Sequence, residues 1–454
     1  MKTLRDRLPT IILSDVRFVL TVPAIWTDSA KEFMHEAAEM AGIASNRLIL
    51  ALEPEAASIH CQNIPTEILT SGAGLSISEV GTQYLIADIG EFGPIDGQSR
   101  DERIAGGTGD FTVHEKLDNG KLKEVSKASG GAFGGINVDK RLFHFFSKLF
   151  GEEAFTQLKS EEICDYLDIF RDFEIKKRTV TDDCEKNYVI RLPSSLLQFA
   201  SNNNPGFRKN AESTDFKGHV NFWHDKLKID STLMKSLFTE SIQNITTHIE
   251  GILQGFPKVR QILLVGGYGE CIILQDDIRK CFPQQDLIIP QECELAVVKG
   301  AVLFGHDSKV IFERILRYSY GTNSHSKFDP SVHCEDRKYV DDYGITRCRG
   351  SFYTLVKAGE KITSKGHIIS SAIFALSKNQ SEIEYKIFYT EKTNTIYLDD
   401  DCKFLGKLII PLTGDKDTNR KCNVSFTFGL TEICCKVTEK SSGRDIEAKF
   451  EMLE

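Results

Sequence analysis

Asp88-Ile89-Gly90 and Gly106-Gly107-Thr108-Gly109-Asp110 read as two halves of one phosphate-binding loop, with residues 91–105 between them. Joined, they spell DIGGGTGD directly after the apolar run Tyr84-Leu85-Ile86-Ala87. A strand that ends in Asp and turns through glycines suits phosphate chemistry. Glycine lets backbone N–H groups come close to phosphate oxygens, and the carboxylate can hold Mg²⁺ or order water. Taken alone, a glycine cluster is more often a plain turn.

Three further groups bear on the same chemistry. Leu264-Val265-Gly266-Gly267-Tyr268-Gly269-Glu270 carries a strand into paired glycines, a geometry for backbone approach to a ribose or phosphate. A tight strand–helix turn explains it equally well. Glu174, Lys177, Arg178 and Thr181 fall at i, i+3, i+4 and i+7, one helical stripe that could clamp an adenosine, with the guanidinium on the base. A solvated face held by ion pairs is the commoner meaning of such a stripe. Glu53, at the end of an apolar run and before Pro54, could position a catalytic water, although Pro-Glu is also an ordinary helix opening.

The elements that must hold these residues follow from periodicity. Arg17–Pro23, Leu48–Leu52, Tyr84–Ala87 and Val259–Val265 read as strands. Helices are expected over Ser29–Met40, capped by Asp28 and stopped by Gly42, with Phe33, Ala37 and Met40 on one face. Others are expected near Asp139–Phe150, Glu161–Arg178, Ser231–Leu253 and Gln275–Cys281. Residues 195–230, rich in Asn, Ser and charge, read as a surface excursion. Residues 1–305 thus alternate strands and helices, an α/β layering with parallel strands. Residues 306–454 hold short β-prone runs, among them Ser351–Lys357, His367–Leu376, Glu382–Tyr389 and Cys422–Phe428, and read as a small β-sandwich.

Composition sets the outer bounds. A chain of 454 residues exceeds one domain core, and 41% hydrophobic with 27% charged residues is ordinary for a globular protein. The net charge of −9 offers no footprint for nucleic acid or an anionic membrane, and no apolar run is long enough to span a bilayer. The N-terminus, MKTLRDRLPTIILSD, lacks a signal peptide's apolar stretch. The 12 cysteines show no CxxC or Cys/His spacing, so reduced thiols in a cytoplasmic protein are expected, with no structural metal site.

The order of the motifs along the chain carries more than each does alone. VLTVPAIWTDSAKEFMHEAAEMAGI, ALEPEAASI, YLIAD followed by GGTGDFTVHE, FEIKKRTVT, ILLVGGYGE and ELAVVKGAVLFG occur in the order found in the actin-like ATPase domain of 70-kilodalton heat-shock proteins. The wording LILALEPEAAS and the Phe-Thr-Val-His-Glu continuation resemble the divergent 12A/12B branch of that family. The resemblance implies a two-lobe actin-like (ribonuclease H-like) ATPase domain followed by a substrate-binding β-sandwich. It implies ATP or ADP with Mg²⁺ as ligands. Position by position, Asp88 matches the Asp that organises the metal shell, and Gly90, Gly106, Gly107 and Thr108 match the phosphate contacts. Glu53 matches the Glu that assists the attacking water. Glu174, Lys177, Arg178 and Thr181 match the adenosine clamp, and Gly266 and Gly267 the adenosine loop. Tyr268 stands where a small hydroxyl residue is usual, and Glu294 where an Asp near the base is usual. Asp139, in GGINVDKRL, matches a structural turn.

Two departures shape the functional expectation. The strand VLTVPA begins close to the start of this chain, so the first phosphate hairpin, a second metal-organising Asp and the catalytic Lys of the resemblance have no counterpart before it. The ATPase domain is therefore expected to be incomplete at its N-terminus. The 91–105 segment, EFGPIDGQSRDERIA, interrupts the second phosphate loop and is expected to move its donors beyond hydrogen-bond range. With the last residue at Glu454, no helical lid is expected after the β region. The expectation is an atypical heat-shock-70-like protein that binds ATP or ADP between two lobes with weak or no hydrolysis. Protein or peptide clients would be taken by the β-sandwich. The alternative is a non-enzymatic interaction module with a degenerate nucleotide domain as scaffold. A sugar kinase of the same superfamily is disfavoured by the C-terminal β region.

Overall fold

A computed structural model describes residues 12–64, 79–90, 107–183, 185–211, 216–341, 344–374, 381–399, 401–412, 421–428, 431, 433–439, 445–446 and 450–452. Gly106 and the 91–105 segment lie outside the described residues.

The chain opens with a small parallel pair. β1 (Phe18–Val22) and β2 (Leu48–Leu52) run side by side, Phe18 opposite Leu48 and Val22 opposite Leu52. Between them lies α1 (Asp28–Met40), whose N-cap is Thr27 rather than Asp28: the Thr27 side chain accepts from the Ala30 amide at 3.3 Å. Gly42 ends it at φ +89°, as a left-handed stop requires. The expected inward face is not inward, since Phe33 is 63% and Met40 90% exposed. α2 (Glu53–Gln62) starts directly from β2 and packs onto the central sheet.

That sheet is mixed rather than all parallel. β3 (Gln83–Ile89), β4 (Gly109–Lys116) and β5 (Leu122–Glu124) are antiparallel neighbours, with β6 (Ser129–Gly131) beside β4. A helical layer follows: α3 (Ile136–Phe150), α4 (Glu152–Glu161) and α5 (Ile163–Lys177). After β7 (Asn187–Arg191), the region 195–230 expected as an excursion instead carries most of α6 (Ser194–Asn203), then α7 (Phe207–Asn210), β8 (Val220–Trp223) and β9 (Lys226–Asp230). Alternation explains this: in β7 and β9 every second residue is buried, with Tyr188, Ile190, Leu227 and Ile229 entering the core. The expected long helix after Ser231 is two, α8 (Ser231–Ser236) and α9 (Thr239–Gly255).

β10 (Gln261–Val265) returns to the sheet parallel to β3, and α10 (Ile272–Cys281) leads to β11 (Asp286–Ile288) on its far side. α11 (Ala296–His306) then crosses α2 at close range. A Cβ on Gly300 would fall 1.7 Å from the Ala56 carbonyl oxygen. The sheet therefore has two covered faces. Leu85, Ala87 and Ile89 of β3 pack into the helical layer, while Tyr84 and Ile86 pack against α2, α11 and the β1–β2 pair.

The expected boundary at 305/306 does not coincide with the edge of this sheet. β12 (Ile311–Ile315) joins it parallel to β5, and a later strand, Lys361–Thr363, adds antiparallel to β12. Lys338–Val340 pairs with Thr346–Cys348 as a separate antiparallel ladder, and the other remaining C-terminal strands form two antiparallel sheets around one core, with Tyr320, Ile387 and Leu408 from one and Val424 and Phe426 from the other. This region is tied back to the first part by side chains. Arg317 donates to the Ile25 carbonyl, and the Tyr320 hydroxyl donates to the Asp28 carboxylate.

Candidate functional site

Strand alternation puts the chemistry on one face. On β4, Phe111 and Val113 enter the helical layer, so Asp110, Thr112 and His114 point the other way, toward α2. Asp88 stands opposite Asp110 in the β3–β4 ladder. Glu53, at the first turn of α2, lies close enough that both carboxylates act on it. Burial, then Asp88 and Asp110, pushes Glu53 up to about 9. Burial, then Asp110, pushes Asp88 up to about 7. Burial also raises Asp110 to about 7, against hydrogen bonds from the Ala24 and Ile25 amides and the charges of Arg317 and Lys31.

Burial disfavours the charged form of all three carboxyl groups, and the Asp110 charge adds to this at Glu53 and at Asp88. Asp110 Oδ2 accepts from the Ala24 amide at 2.7 Å, while Asp110 Oδ1 is buried and has no hydrogen-bond partner among the described residues. A buried, orphaned carboxylate oxygen beside two other carboxyl groups suits a hard cation with oxygen ligands, such as Mg²⁺. Sequence reading gave Asp88 and Glu53 but assigned no role to Asp110. The signal was present: a hairpin closing DIG onto GTGD places its two Asp residues opposite each other.

The glycine segments converge at the same end of the sheet. The β3–β4 ladder continues past Ile89 and Gly109, and the Gly90 amide donates to the Thr108 carbonyl at 3.1 Å. The flanks of the 91–105 segment are thus paired, and the expected displacement of the loop does not reach Gly90, Gly107 or Thr108. A second glycine pair, not singled out from sequence, backs them. Gly134 N donates to Gly107 O at 2.7 Å, and Gly135 N to Gly90 O at 3.1 Å. A Cβ on Gly134 would meet Gly107 at 2.6 Å, so this close approach requires glycine. On the other side, Val265 pairs with Asp88, and Gly266 follows at φ +85°. A Cβ on Gly266 would lie 2.4 Å from the Ile89 carbonyl and 2.7 Å from Asp88 Oδ1. The Gly266–Gly267 turn and the Asp88 turn are therefore in contact.

The residues expected to clamp an adenosine are placed less uniformly. α5 ends at Lys177, so Thr181 does not continue its stripe, and the Thr181 amide donates to the Tyr188 hydroxyl at 3.3 Å. Lys177 is fully buried and pairs with Asp139 at 2.9 Å and with Glu174. Asp139 thus serves as the inner partner of that lysine. Arg178 reaches across to Glu270, Nη1 to Oε2 at 2.6 Å. Tyr268 is wholly inside the core of the helical layer. Glu294 is exposed, and its carboxylate, that of Glu270 and the Cys293 thiol lie within 4.8 Å of one another.

No protein-family profile matches the chain. Comparison with individual proteins does find relatives. Heat shock 70 kDa protein 12A of Homo sapiens is 30% identical over 500 residues, covering 97% of this chain and 71% of the relative, and the Mus musculus protein of the same name gives the same figures. Heat shock 70 kDa protein 12B of Homo sapiens is 28% identical over 527 residues, covering 100% of this chain and 73% of the relative.

Proposed function

The chain belongs to the heat shock 70 kDa protein family, in its 12A/12B branch, and from that premise we propose that it binds ATP or ADP with Mg²⁺ at the Glu53–Asp88–Asp110 cluster. Membership implies the actin-like ATPase fold for the mixed α/β part. The observation that carries the proposal is the orphaned Asp110 oxygen among three buried carboxyl groups, beside glycine turns on three adjacent strands.

Within this reading Asp88 and Asp110 hold the cation, and Glu53 orients water on the α2 side. Bound Mg²⁺ would neutralise charge on the phosphate oxygens. The backbone at Gly90, Gly107 and Thr108 contacts the phosphates, and the Gly266–Gly267 turn contacts the sugar. Gly106 belongs to the same proposal. Weak or absent hydrolysis is part of the same proposal. The C-terminal sheets act as a β-sandwich that receives protein or peptide clients, a role supported by exposed Tyr353 and Ile368 on its strands. The cytoplasmic setting in this proposal is supported by free thiols at the described cysteines.

Calorimetric titration of the full chain with ADP, with Mg²⁺ and then with EDTA, tests the proposal. The expected result is saturable binding that EDTA weakens. Heat-silent titrations under both conditions, confirmed by an unchanged melting temperature, would overturn it.

A further inference from the structure

We propose that the groove between α9 and the β5–β6 connection is a second ligand site, and that it takes a small planar aromatic monocarboxylate. The proposal goes beyond the nucleotide reading and does not depend on it.

The groove follows from how α9 packs. Ile242, Ile245 and Ile249 of this helix are buried in the helical layer. The neighbouring stripe, Asn244, Thr247, His248 and Gly251, recurs at three- and four-residue steps and faces the β5–β6 connection. Gly251 leaves this side open, with nothing within 4 Å of the place where a Cβ would stand. The resulting space is about 750 Å³, inside the range of roughly 300–1,000 Å³ usual for small-molecule sites. His248 lies against Phe111, ring centroids 4.7 Å apart, and Phe111 leaves β4 on the face opposite Asp110. The groove and the carboxyl cluster are therefore on opposite sides of the sheet.

Rings and aliphatic groups form one wall. The Phe133 and His248 centroids are 5.0 Å apart, and Phe133 meets Phe111 edge-on at 5.7 Å. Ser129 Oγ and His248 Nε2 share a hydrogen bond of 3.1 Å, which fixes the imidazole. Ile252 and Phe256 continue the wall, and the Phe256 amide donates to the Ile252 carbonyl at 3.0 Å. Such a wall takes a flat ring by offset or edge contact. Burial holds the His248 imidazole below its ordinary value, so it adds no charge at neutral pH.

Charge sets the rest of the ligand. Lys127, on the β5–β6 connection, is the one cation among the described residues lining the groove, and none of them is acidic. Gln243, Asn244 and Thr247 add neutral donors and acceptors at the rim. A single ammonium beside a flat apolar wall is complementary to one carboxylate carried on a ring. A polyanion would find no second cation there.

Calorimetric titration of the full chain with naphthoate, its neutral isostere naphthamide, and octanoate tests the proposal. Naphthoate should bind saturably, with naphthamide and octanoate each weaker by about tenfold or more. Lys127→Gln should bring naphthoate down to the level of naphthamide and leave naphthamide unchanged. Gly251→Leu and Thr247→Tyr each put bulk into the groove from an exposed helix position, and each should remove binding of both while the protein melts as the wild type does. No saturable naphthoate binding overturns the site. Equal affinity for naphthamide overturns the carboxylate, and equal affinity for octanoate overturns the ring. Binding retained in both blocking variants places the ligand elsewhere on the molecule and overturns the groove.

Discussion

Arg314 grips both carboxylate oxygens of Glu55, Nε to Oε1 at 2.6 Å and Nη2 to Oε2 at 2.8 Å, with both side chains buried. The pair ties β12 to α2, two residues past Glu53. Arg314→Met would leave Glu55 charged, buried and unpaired, and breaking a buried pair from one side costs about 3–5 kcal/mol. Chemical denaturation should show that loss. An unchanged midpoint would mean that water reaches Glu55 in the variant.

Asp88→Asn and Asp110→Asn each remove one anionic ligand from the proposed cation site, while the side-chain volume stays nearly constant. Cation-dependent nucleotide affinity should fall by about tenfold or more in each, because ligand charge count sets affinity for hard cations. The melting temperature without ligand should rise near neutral pH, since burial disfavours the charge that each variant removes, and the Asp110 charge also acts against Asp88. Nucleotide titration and thermal unfolding on the same preparations check both outcomes. Equal affinity in wild type and variants would remove these carboxylates from the site.

Glu124 gives a pH dependence away from that cluster. Burial pushes it from 4.5 up to about 8, opposed by the Ile315 amide, which donates to it at 2.8 Å; Glu55 raises it further, and Arg314 and Lys31 lower it. The folded state thus keeps a proton that the unfolded chain has released above 4.5. Its contribution to stability is complete below that value and is lost as pH rises through about 8. Glu124→Gln should flatten this decline, so the two melting temperatures should separate progressively as pH rises from 4.5 to about 8, with the variant higher at the alkaline end. Parallel curves would show that Glu124 is already ionised in the fold.

Gly300→Ala is a steric test of the α2–α11 crossing. The added methyl would sit 1.7 Å from the Ala56 carbonyl oxygen, which is backbone and cannot swing aside. Overpacking of this kind costs about 1–3 kcal/mol. Gly251→Ala, where nothing lies within 4 Å, is the control and should be neutral or stabilising. Equal destabilisation of both would point to helix propensity rather than contact.

The sequence was most legible where local rules act alone. Alternating strands, the Gly42 stop and the motif order all follow from short-range patterning, and the motif order led to the family. Pairing partners were less legible. Asp110, Glu270, Gly134 and Gly135 matter through residues brought near by the fold, and one-dimensional spacing does not report that. The Glu174–Thr181 stripe failed as a helix because α5 ends at Lys177, whose ammonium turns inward to Asp139. Phe33 and Met40 were misplaced because an amphipathic pattern identifies a stripe without stating what covers it. Residues 195–230 hid a small sheet behind polar composition, since only alternate positions of its strands are apolar.

Lys361–Thr363 and β12 extend a sheet begun at Gln83, more than two hundred positions earlier in the chain. Neither half is a detachable cartridge. Cutting the polypeptide at residue 305 would strip away both outer strands and leave β5 with a raw edge. The carboxyl end of β3 and the strand Lys361–Thr363 are thus members of one continuous hydrogen-bonded ribbon, not of two bodies joined by a slack tether.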